Sequence, residues 1–408
     1  MYAKLIITLT LLCFYSISAL PSFPTIKDEI FPAFDTGVEI PRIKLTFVYG
    51  VPTLPFSIGN PRQKFTGIFD TSSPITWVMS DKCNSSACLS VPDSEKFHAK
   101  ASSTNFQFPL SVDMNYLDGS HVQLKPELDA ITFADKFTIP RHLIGEAYKV
   151  DYPKGYVAPA DARLGMGGFG SIDWTKMRMN LDLAPITNPF SGVFKRAAGD
   201  DVVSTGYIKS GSSDYRKRFN FNEISSSAFI LGVDKTLYND PVYKLPLVPL
   251  QGFNSPFWKI PIAGLQLKYT NITQQFKFSS GGHGKIDSSS PIITLPRSTA
   301  DAINTALGAT FNAQLNMYTI DCEAMTTGPW FVIQFAAGVN AHIPADQFIY
   351  QQNDGSSCYT AIGGGTDEQN IYLGGPFFRS FYLMYHYTGL SVNIAESSVV
   401  QAGKLFAQ

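Results

Sequence analysis

The chain has 408 residues, of which 44% are hydrophobic and 16% charged, and its formal net charge at pH 7 is −1. A single core stops growing at roughly 250 to 300 residues, so two domains are expected. With the charges nearly balanced and no long basic or acidic block, neither a nucleic-acid footprint nor a polybasic membrane patch is present.

The composition, with 31 Phe, 19 Tyr, 32 Gly and 26 Pro, favours many short strands over helices, hence an all-β fold. Residues 1–18 place Lys4 before an apolar run from Leu5 to Tyr15 and end in small residues, the pattern of a signal peptide. A short N-terminal segment, 19–42, follows. That apolar run is too short to span a bilayer, and no later stretch reaches the ~20 apolar residues a spanning helix needs. The mature protein is therefore expected to be a soluble monomer, secreted or delivered to a lysosomal or vesicular lumen. Removing the signal takes Cys13 and leaves Cys83, Cys88, Cys322 and Cys358, an even set that suits two disulfides in an oxidising compartment. Of the three possible pairings, Cys83 with Cys88 and Cys322 with Cys358 keeps each bridge within one half of the chain. No C-x-x-C or His cluster accompanies these cysteines, so neither metal nor cofactor is expected. Asn84-Ser85-Ser86 and Asn271-Ile272-Thr273 are glycosylation acceptor sequences.

An internal repeat decides the architecture. Asp70-Thr71-Ser72-Ser73-Pro74-Ile75 returns as Asp287-Ser288-Ser289-Ser290-Pro291-Ile292, in each case next to an apolar, strand-like stretch. Asp, Ser and Pro all favour turns, but six matching positions in matching surroundings point to duplication. Two similar halves, 43–240 and 241–408, would each supply one carboxylate to a shared site. The connecting pattern is short apolar runs broken by Gly, Pro, Asn and Ser, such as Ser227 to Gly232 and Phe257 to Ile262. The best helix lies at Arg297 to Leu307, with Ser298 or Thr299 available to cap it. His283 falls in a Gly-rich stretch, 279–284, read as an exposed loop. Lys195-Arg196 and the 216–218 basic run are also read as exposed loops.

Two aspartates delivered by equivalent turns suit water attack on a peptide carbonyl. One carboxylate takes a proton from the water while the other, protonated, donates to the carbonyl oxygen. Proximity produces that split, because two like charges a few ångströms apart resist ionising together. A serine-hydrolase reading fails, since no Gly-x-Ser-x-Gly turn is followed by an acid and a His in order.

The segments Phe56 to Phe65, Ile68-Phe69-Asp70-Thr71-Ser72-Ser73 with Trp77-Val78, and Asn115-Tyr116-Leu117-Asp118-Gly119-Ser120 resemble the pepsin-like (A1) aspartic proteases over almost the whole chain after the signal. The resemblance implies a bilobal acid-protease fold, with Asp70 and Asp287 as the catalytic pair and Thr71 and Ser288 bracing the two turns. Ser73 and Ser290 would supply outer hydroxyls. It also implies a flap carrying Tyr116 and Gly119, with Tyr116 bonded to Trp77, over a cleft that takes a protein or peptide substrate. Arg163-Leu164-Gly165 and Tyr372-Leu373-Gly374 would thread behind the active-site turns.

The chain departs from the family pattern of Asp-Thr/Ser-Gly at Ser72 and Ser289, whose hydroxyls are placed to bond the carboxylates or displace the water. Arg163 stands where an apolar residue lines the pocket, which should remove a preference for bulky apolar side chains. Gly375 occupies a position that is usually Asp, and a conventional basic prosegment is not expected in 19–42. Two functions follow: an aspartic endopeptidase of altered efficiency, or a pseudoprotease that keeps the cleft as a peptide- or protein-binding module.

Overall fold

The computed structural model describes residues 42–116, 118–154, 156–167, 202–207, 227–230, 232–248, 258–276, 282–351, 357–386, 390–399 and 402–408, all within one compact unit, Glu39–Gln408. The signal peptide, nearly all of segment 19–42, Lys195-Arg196 and the 216–218 run lie outside the described residues.

Strands dominate, as the composition requires. Among the described residues they form one fourteen-stranded, one nine-stranded and one four-stranded sheet. The Arg42–Val48 strand alternates cleanly, with Ile43, Leu45 and Phe47 buried and Arg42, Lys44 and Thr46 outward, the period of two expected of a sheet with one wet face. The Gln63–Asp70 strand starts with that alternation, but its last four residues are all buried. It thus delivers Asp70 to the interior.

The duplication seen in sequence is a duplication of topology. In the first half Gln63–Asp70 runs parallel to Ala162–Gly165, which is antiparallel to Thr76–Met79, itself parallel to part of Phe137–Asp151. In the second half His283–Ile286 runs parallel to Asn370–Leu373, which is antiparallel to Ile293–Pro296, itself parallel to Ile362–Gly365. Each Asp turn therefore leaves one strand and returns in another, with a floor strand between them. That close threading explains Gly165, the last residue of the first floor strand, and Gly374, which directly follows the second. A Cβ on Gly165 would sit 2.4 Å from the Ile75 carbonyl carbon, and one on Gly374 2.0 Å from the Ile292 oxygen.

The halves are stitched by a shared layer in which Val202–Tyr207 pairs with Phe381–His386 and Ser227–Ile230 pairs with Arg42–Val48. Positions 240 and 241 fall inside the Tyr238–Pro246 strand, which pairs with Ser391–Ser397, so a boundary drawn there crosses this layer. One apolar cluster runs through both halves, including Phe69, Leu164, Ile286, Leu373 and Phe378. Trp258 crosses the divide, its Nε1 donating to the Met166 carbonyl at 2.9 Å.

The bridges Cys83–Cys88 and Cys322–Cys358 form as expected, with Cα separations of 5.7 and 5.1 Å. Asn84 and Asn271 are exposed. The predicted helix forms over Arg297–Ala306 with Ala300 and Ile303 buried, but Pro296 occupies its cap without a side-chain bond. Ser298 and Thr299 lie within the first turn, because the preceding strand passes directly into the helix at Pro296. His283 is also corrected: it opens a strand, half-buried, opposite Pro261 and Asn370. The flanking glycines disguised that strand, which two neighbours hold in place. No helix among the described residues is long and apolar enough to cross a membrane.

Candidate active site

Asp70 and Asp287 are 0% and 1% exposed, and the turns that carry them are locked to each other. Thr71 Oγ1 donates to the Ile286 carbonyl at 2.9 Å and accepts from the Ser288 amide at 3.0 Å. Ser288 Oγ in turn donates to the Phe69 carbonyl at 2.6 Å and accepts from the Thr71 amide at 3.0 Å. Each hydroxyl uses both its donor and its acceptor capacity across the divide. The result is a reciprocal four-bond brace between residues far apart in sequence.

Ser72 and Ser289 are accommodated without strain: neither has a left-handed backbone, the conformation that would demand glycine. Their hydroxyls turn onto the carboxylates. Asp70 Oδ1 accepts from Ser72 N at 2.8 Å, Ser72 Oγ at 2.7 Å and Ser73 N at 3.1 Å. Asp287 Oδ1 accepts from Ser289 N at 3.0 Å and Ser289 Oγ at 2.7 Å. Ser73 and Ser290, expected as outer hydroxyls, donate instead into their own turns, to the Ile75 carbonyl at 2.9 Å and the Ile292 carbonyl at 2.8 Å.

The outer oxygen of Asp70 meets a different partner. Arg163, 2% exposed on the floor strand, donates through Nη1 to Asp70 Oδ2 at 2.7 Å. Its Nη2 pairs with Asp118 in the flap turn, and its guanidinium lies 4.0 Å from the centre of the Tyr116 ring. Burial works against the charge on Arg163, but Asp70 and Asp118 raise its affinity for the proton. Asp118 also accepts from Ser120 N at 2.9 Å, from Ser120 Oγ and from Tyr156 Oη at 3.0 Å. Burial pushes its carboxyl up, yet Arg163 and these donors hold it below the usual carboxylate range. Tyr116 completes the cluster: its hydroxyl accepts from Trp77 Nε1 at 2.8 Å and lies 3.1 Å from Ser73 Oγ. Burial lifts that phenol to about 12. Gly119 sits at the exposed flap tip with φ +81°, a left-handed turn position that suits glycine.

Asp287 is more sparsely bonded. Burial first, and then the charge of Asp70, push its carboxyl up to about 6, against the opposing effects of Ser289 and Arg163. A cavity of about 640 Å³ opens beside it, lined among others by Asp118, Tyr156, Ser289, Asp367 and Tyr372. Arg163 does not line this cavity, so the side chain expected on a pocket wall is instead a buried counter-ion. Sequence reasoning gave Asp118 and Tyr156 no role. Asp118 stands in the quoted hairpin motif, but only the fold shows that its turn meets the floor strand bearing Arg163. Among the described residues, no group of three or more His, Cys, Asp or Glu side chains could hold a metal ion.

A family model described as eukaryotic aspartyl protease matches residues 53–397. Gastricsin of Cavia porcellus is 26% identical over 349 residues, covering 84% of this chain and 79% of its own. Pepsin-2B of Gadus morhua is 23% identical over 362 residues, 86% of this chain and 97% of its own. Vacuolar protease A of Neurospora crassa is 25% identical over 346 residues, 83% of this chain and 76% of its own.

Proposed function

The chain belongs to the eukaryotic aspartyl protease family, and from that premise we propose that it is an aspartic endopeptidase working through Asp70, Asp287 and an activated water. The observation that carries this reading is the reciprocal brace of Thr71 and Ser288, which ties together the turns of two buried carboxylates, one of which, Asp287, lines a cavity. Such a brace has a clear use where two acids must act on one bond.

The roles follow from the asymmetry of the pair. Asp70 accepts three hydrogen bonds and pairs with the Arg163 guanidinium, so both its oxygens act as acceptors, and it is the base that takes a proton from water. Asp287, raised to about 6, holds its proton in mild acid and donates it to the carbonyl oxygen. Tyr116, tied to Trp77 and Ser73, covers the reacting bond. The cost of this arrangement is access: both oxygens of Asp70 already have partners, so the water meets an occupied carboxylate, and a reduced rate is expected. A protein or peptide lies in the cleft, and the compartment is the secretory or a lysosomal or vacuolar lumen. Relatives carry the names secreted aspartic protease and vacuolar protease.

One observation favours a second reading. The Arg163–Asp70 ion pair at 2.7 Å occupies a carboxylate oxygen beside the reacting centre, as a pseudoprotease that only binds peptides would tolerate.

Digestion of an unfolded protein from pH 4 to 7 separates the two readings. The endopeptidase cuts, is blocked by a statine-type inhibitor and loses activity in Asp70→Asn. Saturable peptide binding without cleavage by the wild-type chain establishes the binding module instead.

A further inference from the structure

Arg163 ties together Asp70, the flap turn and the Tyr116 ring. One arm of its guanidinium reaches Asp70 at the end of the Gln63–Asp70 strand, and the other reaches Asp118 in the flap turn. Its face lies on the Tyr116 ring, whose hydroxyl is bonded to Trp77 and close to Ser73. A planar fork with several donors can bridge two carboxylates and stack on an aromatic ring at once, whereas an ammonium is a point charge on a flexible stem. With 2% of its surface exposed, this cation exchanges little of its partnership with water, so removing it leaves two carboxylates to find new partners.

The consequence reaches Asp287. A symmetric pair of carboxylates shares one proton, and either member can hold it. Here the guanidinium and three donors sit on Asp70, while Asp287 receives the Ser289 amide and hydroxyl. The pair is made unequal by its surroundings. Resting on the endopeptidase reading, we propose that Arg163 is a positioning residue that fixes Asp70 as the anionic member of the pair and latches the flap over it through Asp118. One side chain thereby sets both the charge order of the pair and the closure of its cover.

The groups that face Asp287 are Asp70, Arg163, Lys285 on its own strand and Tyr372 on the adjoining one. Asp118 and Asp367 share its cavity. The groups around Arg163 are Asp70, Asp118, Tyr116, Tyr152 and Tyr156. Arg163 is a cation that opposes the upward push of Asp70 on Asp287. Neutralising it should therefore raise the Asp287 midpoint.

The test uses the full chain with carbon-13-labelled aspartate side chains, Asp287→Asn assigning the resonance, together with amide hydrogen exchange of the flap, where Tyr116 N bonds the Ser120 carbonyl and Gly119 N the Tyr116 carbonyl. In Arg163→Gln the Asp287 midpoint should rise from about 6 by about one unit, and flap exchange should quicken on the order of tenfold. Arg163→Lys keeps the charge and loses the fork, so the midpoint returns most of the way while exchange stays fast. Asp118→Asn should release the flap with a smaller effect on Asp287.

A folded Arg163→Gln with wild-type midpoint and wild-type flap exchange overturns the proposal. If that variant does not fold, wild-type flap exchange in both Asp118→Asn and Arg163→Lys overturns it. These readouts need no turnover: the expected shifts in a chain that never cleaves peptide support the role of Arg163 and refute the endopeptidase reading alone.

Discussion

Replacing Thr71 by valine probes the brace between the two Asp turns with almost no change in volume. Valine keeps the shape of threonine but loses the hydroxyl that donates to the Ile286 carbonyl and accepts from the Ser288 amide. Both bonds are buried, with Thr71 and Ser288 each 0% exposed, so water cannot substitute. Each of the two stranded polar groups costs about 1 to 3 kcal/mol, giving a loss of roughly 2 to 6 kcal/mol. Against a typical net stability of about 5 to 15 kcal/mol this is a large fraction. Urea unfolding at pH 5.5 measures it, with Thr71→Ser as the control that keeps the hydroxyl and should lose only about 1 kcal/mol for its missing methyl group. Because Ser288 supplies the reciprocal pair of bonds, Thr71→Val and Ser288→Ala should not be additive, with a coupling of about 0.5 to 3 kcal/mol in a double-mutant cycle. Cleavage should fall further than stability accounts for, since a shift of about 1 Å in a reacting group can cost about a hundredfold in rate. A folded Thr71→Val within about 0.5 kcal/mol of wild type, or additive with Ser288→Ala, refutes the reasoning.

Removing both hydroxyls in Ser72→Gly/Ser289→Gly withdraws donors that favour the charged carboxylates, and the loss of Ser289 Oγ should move Asp287 above about 6. The alkaline limb of the pH–rate profile should move up with it and the rate should increase; an unmoved limb argues against the assignment of Asp287 as the acid. Glu127, 0% exposed, is raised from 4.5 to about 8, by burial first and by its neighbour Glu146, against the bonds from Asn105 and Gln107. Between those values the folded chain keeps a proton on Glu127 that the unfolded chain has released, so the contribution of Glu127 to stability is fully present below about 4.5 and is lost as pH rises to about 8. Glu127→Gln should flatten the dependence of Tm on pH over that window, and a wild-type slope in the variant rules Glu127 out as its source. The Cys322–Cys358 bridge spans 36 residues and Cys83–Cys88 spans 5, so loop-closure entropy predicts losses of about 4 and about 2 kcal/mol on removing them. Equal losses in the two paired Cys→Ser variants would contradict that ordering.

Much of this protein was legible in its sequence because duplication leaves a repeat that a reader can align. The two Asp-hydroxyl-Ser-Ser-Pro-Ile turns, the apolar-Gly floor strands and the placement of four cysteines all rest on short segments whose geometry is local. The helix at Arg297–Ala306 was visible through its apolar spacing. His283 was not read as a strand, because a strand between two glycine-rich stretches carries too weak a local signal and is held by Pro261 and Asn370, which are distant in sequence.

The sequence by itself determined that two carboxylates arrive on equivalent turns, and that serines replace the glycines beside them. It could not determine where the serine hydroxyls point, nor that Ser73 and Ser290 turn away from the pair. Least of all could it give the partner of Arg163. A charge on a floor strand reads as a pocket wall until the flap turn is folded over it, and the Asp118 contact joins positions 45 apart while the Asp70 contact joins positions 93 apart. Ion pairs of that kind have no period or motif. They exist only once packing has excluded water from both partners, and for that reason the charge order of the pair belongs to the tertiary structure.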